Sequence, residues 1–380
     1  MKFSSPQKSI PTWLGSAVLV AVVVFALGTI YLVAHNTNSP TSALTLSIGT
    51  NTPALMASPH PATTTSTTTS TIATTTSKKT VVAGNAVTEL PSTTSVSSSA
   101  LAAQKLDSAG ADLLQSVVNI VCLSGNPAIP SISGSGVIID SRGIILTAAH
   151  VAQMFLLQDY LGPSKVTCIV RSGSPARRAY TAEPIYVSPS WVRANPDTLK
   201  TANPVGTGQN DFALLAITGT ATSTPVPSSF PAIPLAQGDP QLNEQVAIGS
   251  YGAEYLTSSQ LNYDLYTILV FGSINDRYTF DTNTVDLVSV QGSAASQEGS
   301  SGGGLVDANG DLIGTITTSS VAGSIAGRQL NAVTPGHMRR SFATDMGGQN
   351  LDSYLAGNSI STLIANFKNQ ANQLAQLLNY

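Results

Sequence analysis

Charge is scarce in this sequence. Lys, Arg, Asp and Glu make up only 10% of the 380 residues and leave a formal net charge of −3. Without a basic face to neutralise phosphates, a nucleic-acid partner is not expected. Cysteine is limited to Cys122 and Cys168, which match neither a zinc cluster nor a disulfide-dense scaffold. Aromatics are only 6%, while Gly, Pro, Ser and Thr are plentiful. That balance suits short strands joined by many turns. The length allows two or three domains and a sizeable core.

Basic residues are also missing from a long N-terminal reach: after Lys2 and Lys8 none recurs until Lys78. Inside that reach, Trp13 to Ala34 is almost unbroken apolar sequence, about the length a helix needs to cross a bilayer. The charge bias leaves residues 1–12 in the cytoplasm and sends the remainder outside, to the cell surface or periplasm. A cleaved signal peptide is the competing reading. Its apolar core is normally shorter, and no small-x-small cleavage site follows the run. Residues 13–34 therefore read as a transmembrane signal anchor that holds the chain on the membrane. Residues 35–105, dominated by Thr, Ser, Ala and Pro, cannot bury enough apolar surface to offset chain entropy and read as a disordered stalk.

Order is expected from about Leu106, after a short helical segment from Leu101 to Leu114. Apolar runs typical of strands follow at Ser116–Cys122, Ser135–Ile139, Gly143–Thr147, Val166–Val170, Ala179–Val187 and Asp211–Ile217. After a Pro/Ser/Thr-rich connector from Thr218 to about Pro240, more appear at Gln245–Ile248, Asp264–Phe271, Thr284–Val290, Gly303–Val306, Leu312–Thr317 and Gln329–Val333. Two such series predict an all-β fold of two antiparallel barrels or a sandwich pair. Helical pattern is nearly absent between Asp159 and Pro335. Within residues 346–380, Ile360, Leu363, Ile364, Phe367, Ala371, Leu374 and Leu378 recur at four- and three-residue steps. This predicts an amphipathic C-terminal helix docked on a barrel; it is too short to make a strong coiled coil, and the oligomeric state stays open.

The densest chemical signal is Gln297-Glu298-Gly299-Ser300-Ser301-Gly302-Gly303-Gly304-Leu305. A serine among glycines can sit on a tight turn beside bare backbone N–H groups, an arrangement that suits acyl transfer. Alone, such a run is more often a flexible loop. Four histidines limit the choice of base. His35 and His60 fall in the stalk, and His337 follows a strand end. His150 closes Gly143-Ile-Ile-Leu-Thr-Ala-Ala-His150, where the bland alternative is a buried core histidine. Asp211 stands at the mouth of Asn210-Asp211-Phe212-Ala213-Leu214-Leu215, where a turn or strand cap is the bland alternative.

Taken together, the order His150, Asp211, Ser301 and its three contexts resemble the chymotrypsin-fold (trypsin-like) serine peptidases, most closely the HtrA/Deg-like branch. Ser133-Gly134-Ser135-Gly136-Val137-Ile138-Ile139-Asp140 with Gly143 to Val151 resembles that family's histidine block. Asn210 to Leu215 resembles its acid block, and Ala294-Ala295 with Gly299 to Val306 its nucleophile block. Asn309-Gly310-Asp311-Leu312-Ile313-Gly314 and Asn331-Ala332-Val333-Thr334-Pro335 resemble the hairpin and closing strand that follow. The likeness covers about residues 106–345.

The resemblance implies two six-stranded Greek-key barrels, one over about 112–222 and the other over about 240–340, with a cleft between them. Ser301 would be the nucleophile, His150 the base and Asp211 its orienting acid, with the N–H groups of Gly299 and Ser301 as the oxyanion hole. No metal or cofactor is required. A polypeptide substrate would bind in extended form beside a sheet edge. Ala295, Ser296, Ile316, Thr317 and Thr318 would line the pocket for the residue before the scissile bond. That pocket has no acid, which argues against a preference for Arg or Lys. In this fold the strands of Cys122 and Cys168 are neighbours, so the resemblance makes a disulfide plausible; two buried thiols are the alternative. Three features depart from the pattern. Gly304 replaces the usual proline and loosens the turn, Ser300 replaces the acid of trypsin-like zymogens, and no PDZ-like domain follows. Gly304 and Ser300 leave room for a second reading, a catalytically weak or inactive homologue serving as a tethered peptide-binding or adhesion module.

Overall fold

A computed structural model describes residues 98–201, 206–281, 283–319, 324–378 and 380. The expected anchor at 13–34 and most of the expected stalk lie outside the described residues. Among those described, no helix is long and apolar enough to cross a membrane.

The chain enters through helix α1 (Ser98–Ser116), whose first turns are exposed and whose Leu106, Ala109 and Leu113 are buried. Helix thus begins eight residues inside the segment read as stalk. The polar start is carried by propagation from an anchored apolar face rather than by its own burial. Strands β1 (Val117–Ser124), β2 (Ile132–Asp140) and β3 (Ile144–Thr147) follow, then helix α2 (Ala149–Leu161), β4 (Val166–Ser172), β5 (Arg177–Val187), the short α3 (Pro189–Ala194) and β6 (Ala213–Thr220). These six strands close in the order β1-β2-β3-β6-β5-β4, with every neighbour antiparallel.

The second series is β7 (Gln245–Ser250), α4 (Ser258–Tyr263), β8 (Ile268–Tyr278), β9 (Leu287–Gln291), β10 (Gly304–Val306), β11 (Leu312–Ser319) and β12 (Gln329–Val333). It closes into another antiparallel barrel with the same winding, β7 beside β10 and β9 beside β12. In both, the fourth strand returns to lie beside the first, the Greek-key arrangement. Two closed six-stranded barrels therefore form the fold, as the resemblance implies for a chymotrypsin-like chain.

Three apolar clusters hold it. Val246, Ile248, Val288, Val290, Leu305, Ile313 and Ile316 fill the second barrel. Val137, Leu146 and Leu214 of the first barrel meet Ala247, Val306 and Leu312 of the second, and α1 contributes Leu113. The third cluster joins Val118, Ile120 and Val170 to the buried α2 residues Met154, Phe155 and Leu157. Cys122 and Cys168 stand directly opposite each other on β1 and β4 and form a disulfide, sequence separation 46. Closing a loop of that size stabilises by about 4 kcal/mol in the chain-entropy account.

Several expectations need correction. Seven helices accompany the barrels among the described residues. Helix α2 escaped the sequence pattern because eight of its residues are buried on all sides, which erases the amphipathic period. The strand expected at Asp264–Phe271 starts at Ile268 and runs to Tyr278, because α4 and its capping box at Thr257 and Gln260 occupy the chain before it. The single helix expected over 346–380 is two, α6 (Leu351–Ala356) and α7 (Ile360–Leu377), preceded by α5 (Pro335–Asp345). Gly357 ends α6, and the Ser359 side chain caps α7 by accepting from Thr362 N–H. The apolar stripe of α7 docks on the first barrel: Phe367, Ala371 and Leu374 share the cluster of α2 and β1.

Candidate active site

The His150 side chain is placed by the start of α2. Ala148 at the N-cap has no side chain to satisfy the helix's free N–H groups. Asp211 does so instead, accepting from His150 N–H at 2.9 Å through Oδ1. Its Oδ2 lies 2.7 Å from His150 Nδ1. One carboxylate thus fixes both the backbone and the ring of His150. Because the acid can only accept, the ring carries its proton on Nδ1 and turns Nε2 out as an acceptor.

Asp211 itself is held by a short lead-in. Asn210 takes a left-handed turn, φ 60, and the Asp211 N–H donates to Gly208 C=O at 3.1 Å. The Asp211 side chain is 4% exposed and that of His150 27%. A third donor reaches Oδ2 from the second barrel, the Thr317 hydroxyl. Burial pushes the Asp211 carboxyl up, but the charge and hydrogen bonds of His150, with the bond from Thr317, hold it below its ordinary value. Burial likewise disfavours the His150 imidazolium; the Asp211 charge and hydrogen bond outweigh it and raise the His150 pKa above 6.5.

Ser301 sits on the other barrel, in the turn before β10, and is half-buried. Its carbonyl oxygen accepts from Ser135 N–H of β2 at 2.7 Å, so the two barrels meet at the serine. Gly134 is wedged at that junction: a Cβ there would press on the side chain of Val151, next to His150, and reach the Ser301 carbonyl oxygen. The N–H groups of Gly299 and Ser301 have no acceptor within the described chain, whereas those of Ser300, Gly302 and Gly303 are bonded to Gln297, Ile316 and Ser300 carbonyls. Two adjacent donors are left for an incoming oxygen.

Both departures within the turn are accommodated. Ser300 is buried, and its hydroxyl accepts from Ser250 Oγ at 3.1 Å, a neutral bond that satisfies it inside the second barrel. Gly304 does not loosen the turn. It is the first residue of β10, paired with Gly249 and Thr315, and a Cβ there would collide with Leu312 and Val137. A side chain here would require Leu312 and, across the barrel junction, Val137 to shift.

The pocket residues divide. Ala295 and Ile316 lie in the core of the second barrel, and Ser296 is fully buried, its carbonyl accepting from Arg328 Nη1 at 2.9 Å. Thr318 is half-buried and accepts from Asn331 Nδ2 at 3.2 Å. Thr317 serves the acid rather than the pocket: the pairing of β11 with β12 shifts register between Ile316 and Thr318, and the hydroxyl meets Asp211. Arg328, which sequence reading passed over, pairs with Glu254 at 2.5 Å and ties the chain before β12 to the loop after β7. That guanidinium holds the Glu254 carboxyl down to about 2, against a smaller upward push from burial.

Residues 134–314 match the family model for the trypsin-like peptidase domain. Among solved structures, the active form of the Rv3671c protease from M. tuberculosis is similar at 18% identity, covering 64% of this chain and 85% of that one, TM-score 0.39. The serine endoprotease from Yersinia pestis is similar at 21% identity, covering 69% of this chain and 67% of that one, TM-score 0.37. No curated protein sequence matches the chain significantly.

Proposed function

From a chain that carries a trypsin-like peptidase domain, we propose a serine endopeptidase that cleaves polypeptides through an acyl-enzyme, with Ser301, His150 and Asp211 as its triad. One observation carries this reading: a buried carboxylate with three donors orients a partly exposed histidine, and at Gly134 the residue after that histidine approaches a serine turn that keeps two N–H groups free. Ser301 Oγ attacks the scissile carbonyl while His150 Nε2 takes its proton. The Asp211 charge stabilises the imidazolium, and the raised His150 pKa is the equilibrium expression of that effect. Gly299 and Ser301 N–H groups receive the developing oxyanion, each worth about 3–4 kcal/mol of barrier. His150 then returns the proton to the leaving amine, and water, activated by the same base, releases the acyl group from Ser301. The N-terminal sequence supports a tether that presents the domain outside the membrane to extended segments of other chains.

A fluorophosphonate probe tests the chemistry on purified protein. Labelling that vanishes in Ser301→Ala and in His150→Ala is expected. Native, folded protein that stays unlabelled favours the inactive peptide-binding homologue instead. For the tether, retention in the membrane pellet after alkaline extraction, lost when residues 1–34 are deleted, is the expected result.

A further inference from the structure

We propose that Ser135, on the first barrel, is a positioning residue that ties the turn at Gly299 to the segment bearing the Ala253 donor, and so favours the turn state the oxyanion hole needs. This rests on the peptidase reading above. The Ser300 N–H donates to Gln297 C=O at 3.2 Å, closing a β-turn over Gln297 to Ser300. Gly299, the third residue of that turn, has φ +92, the mark of type II geometry. The same four residues can form a type I turn if the central peptide, Glu298–Gly299, rotates by half a revolution. In the observed state the Glu298 carbonyl faces Ala253, whose N–H donates to it at 2.7 Å, and the Gly299 N–H faces the opposite way. Rotation would put a carbonyl where the oxyanion donor stands. The hole is therefore one state of a two-state turn, and something has to select it.

Ser135 Oγ holds the two segments that flank that choice, the peptide after Gly299 and the start of the segment that carries Ala253. It donates to the Gly299 carbonyl at 2.8 Å and accepts from Tyr251 N–H at 2.9 Å. Tyr251 begins the segment that carries the Ala253 donor, so one hydroxyl ties turn and selector together. Ser135 is itself fixed by backbone: its N–H donates to Ser301 C=O at 2.7 Å and its carbonyl accepts from Thr147 Oγ1 at 2.6 Å. It is fully buried. Its hydroxyl bonds neither His150 nor Asp211, so what that hydroxyl contributes to the reaction runs through the turn.

The test compares wild type with Ser135→Ala and Ser135→Cys, the latter keeping the volume and a weak donor. Hydrolysis of a 4-nitrophenyl ester gives kcat, KM and the pH profile, and a fluorophosphonate gives the rate of Ser301 modification. For Ser135→Ala we expect kcat and the modification rate to fall by about 10- to 100-fold, less than the loss of a donor outright, with KM within about threefold. The pH at half-maximal kcat/KM should not move, and Ser135→Cys should fall between the two. Should Ser135→Ala fail to fold, Ser135→Cys carries the same comparison. Wild-type kcat in a folded variant, a loss confined to KM, or a displaced pH profile overturns the proposal. Wild-type protein that neither hydrolyses nor labels defeats the peptidase reading itself, a distinct result.

Discussion

Among the described residues two histidine–aspartate pairs form, and their surroundings are opposite. In the first, His150 lies 2.7 Å from Asp211, has one nitrogen occupied, and keeps 27% of its side chain exposed. In the second, His337 Nδ1 lies 3.2 Å from Asp286 and only 9% of its side chain is exposed. Its Nε2 is covered by Asn210, whose Oδ1 lies at 2.9 Å and whose N–H lies at 3.4 Å. Asp286 also takes Arg340, Thr284 and the Phe280 N–H. The shifts follow. Burial lowers the His337 pKa, and the Asp286 charge, divided with Arg340, does not recover it; the nearby Arg340 cation adds to the lowering. A carboxylate beside an imidazole makes a base only when that carboxylate has no cation of its own and the far nitrogen faces the reaction. The second pair instead braces Asn210, the left-handed residue that delivers Asp211.

The largest effects should come from the first pair. Ser301→Ala and His150→Ala are each expected to lower kcat by about 10⁴- to 10⁶-fold with little change in melting temperature, and combining them should add almost nothing. Asp211→Asn should cost about 10³- to 10⁴-fold in kcat, because an amide favours the wrong ring tautomer. Asp286→Asn sharpens the contrast. Removing one partner from a fully buried ion pair costs about 3–5 kcal/mol of stability; the Arg340 side chain is 44% exposed, so water takes up part of its charge and the loss should fall below that range. We expect a lower urea midpoint and a kcat/KM within about tenfold of wild type. A dead enzyme with an unchanged midpoint would erase the distinction between the two pairs.

Sequence exposed the first pair better than the second for a physical reason. His150, Asp211 and Ser301 each sit beside a strand with its own short-range pattern, so block order alone assembles them. The brace needs His337, Asp286 and Asn210 to meet from three distant stretches, and nothing local in Asp286 or Asn210 predicts the meeting. Strand alternation fixed most barrel elements to within a few residues. Thr317 went to the pocket because a bulge, invisible in the alternation of Leu312 to Thr318, turns it to Asp211. Gly304 read as slack because a missing side chain says nothing about what packs against it; Leu312 and Val137 supply the answer only in three dimensions. Ser135 was legible as part of a motif, but its bond to Gly299 joins residues 164 apart.

The smallest and most discriminating effects lie in pH. The proposed mechanism needs His150 neutral, so kcat/KM should rise with pH through a value above 6.5. Stability separates the pairs by sign. The raised His150 pKa contributes stability that is complete below 6.5 and lost as pH climbs through the folded value. The lowered His337 pKa contributes stability that is complete above 6.5 and lost as pH falls through its folded value. Glutamine at either position keeps a polar side chain without a titrating proton. His337→Gln should therefore flatten the loss of unfolding free energy below pH 6.5, by at most about 1.4 kcal/mol per pH unit. His150→Gln should flatten only the decline above 6.5. Urea unfolding of both variants from pH 5 to 8 reads this directly. If both change the slope on the same side of 6.5, the two aspartates act alike and Arg340 does not divide the charge of Asp286.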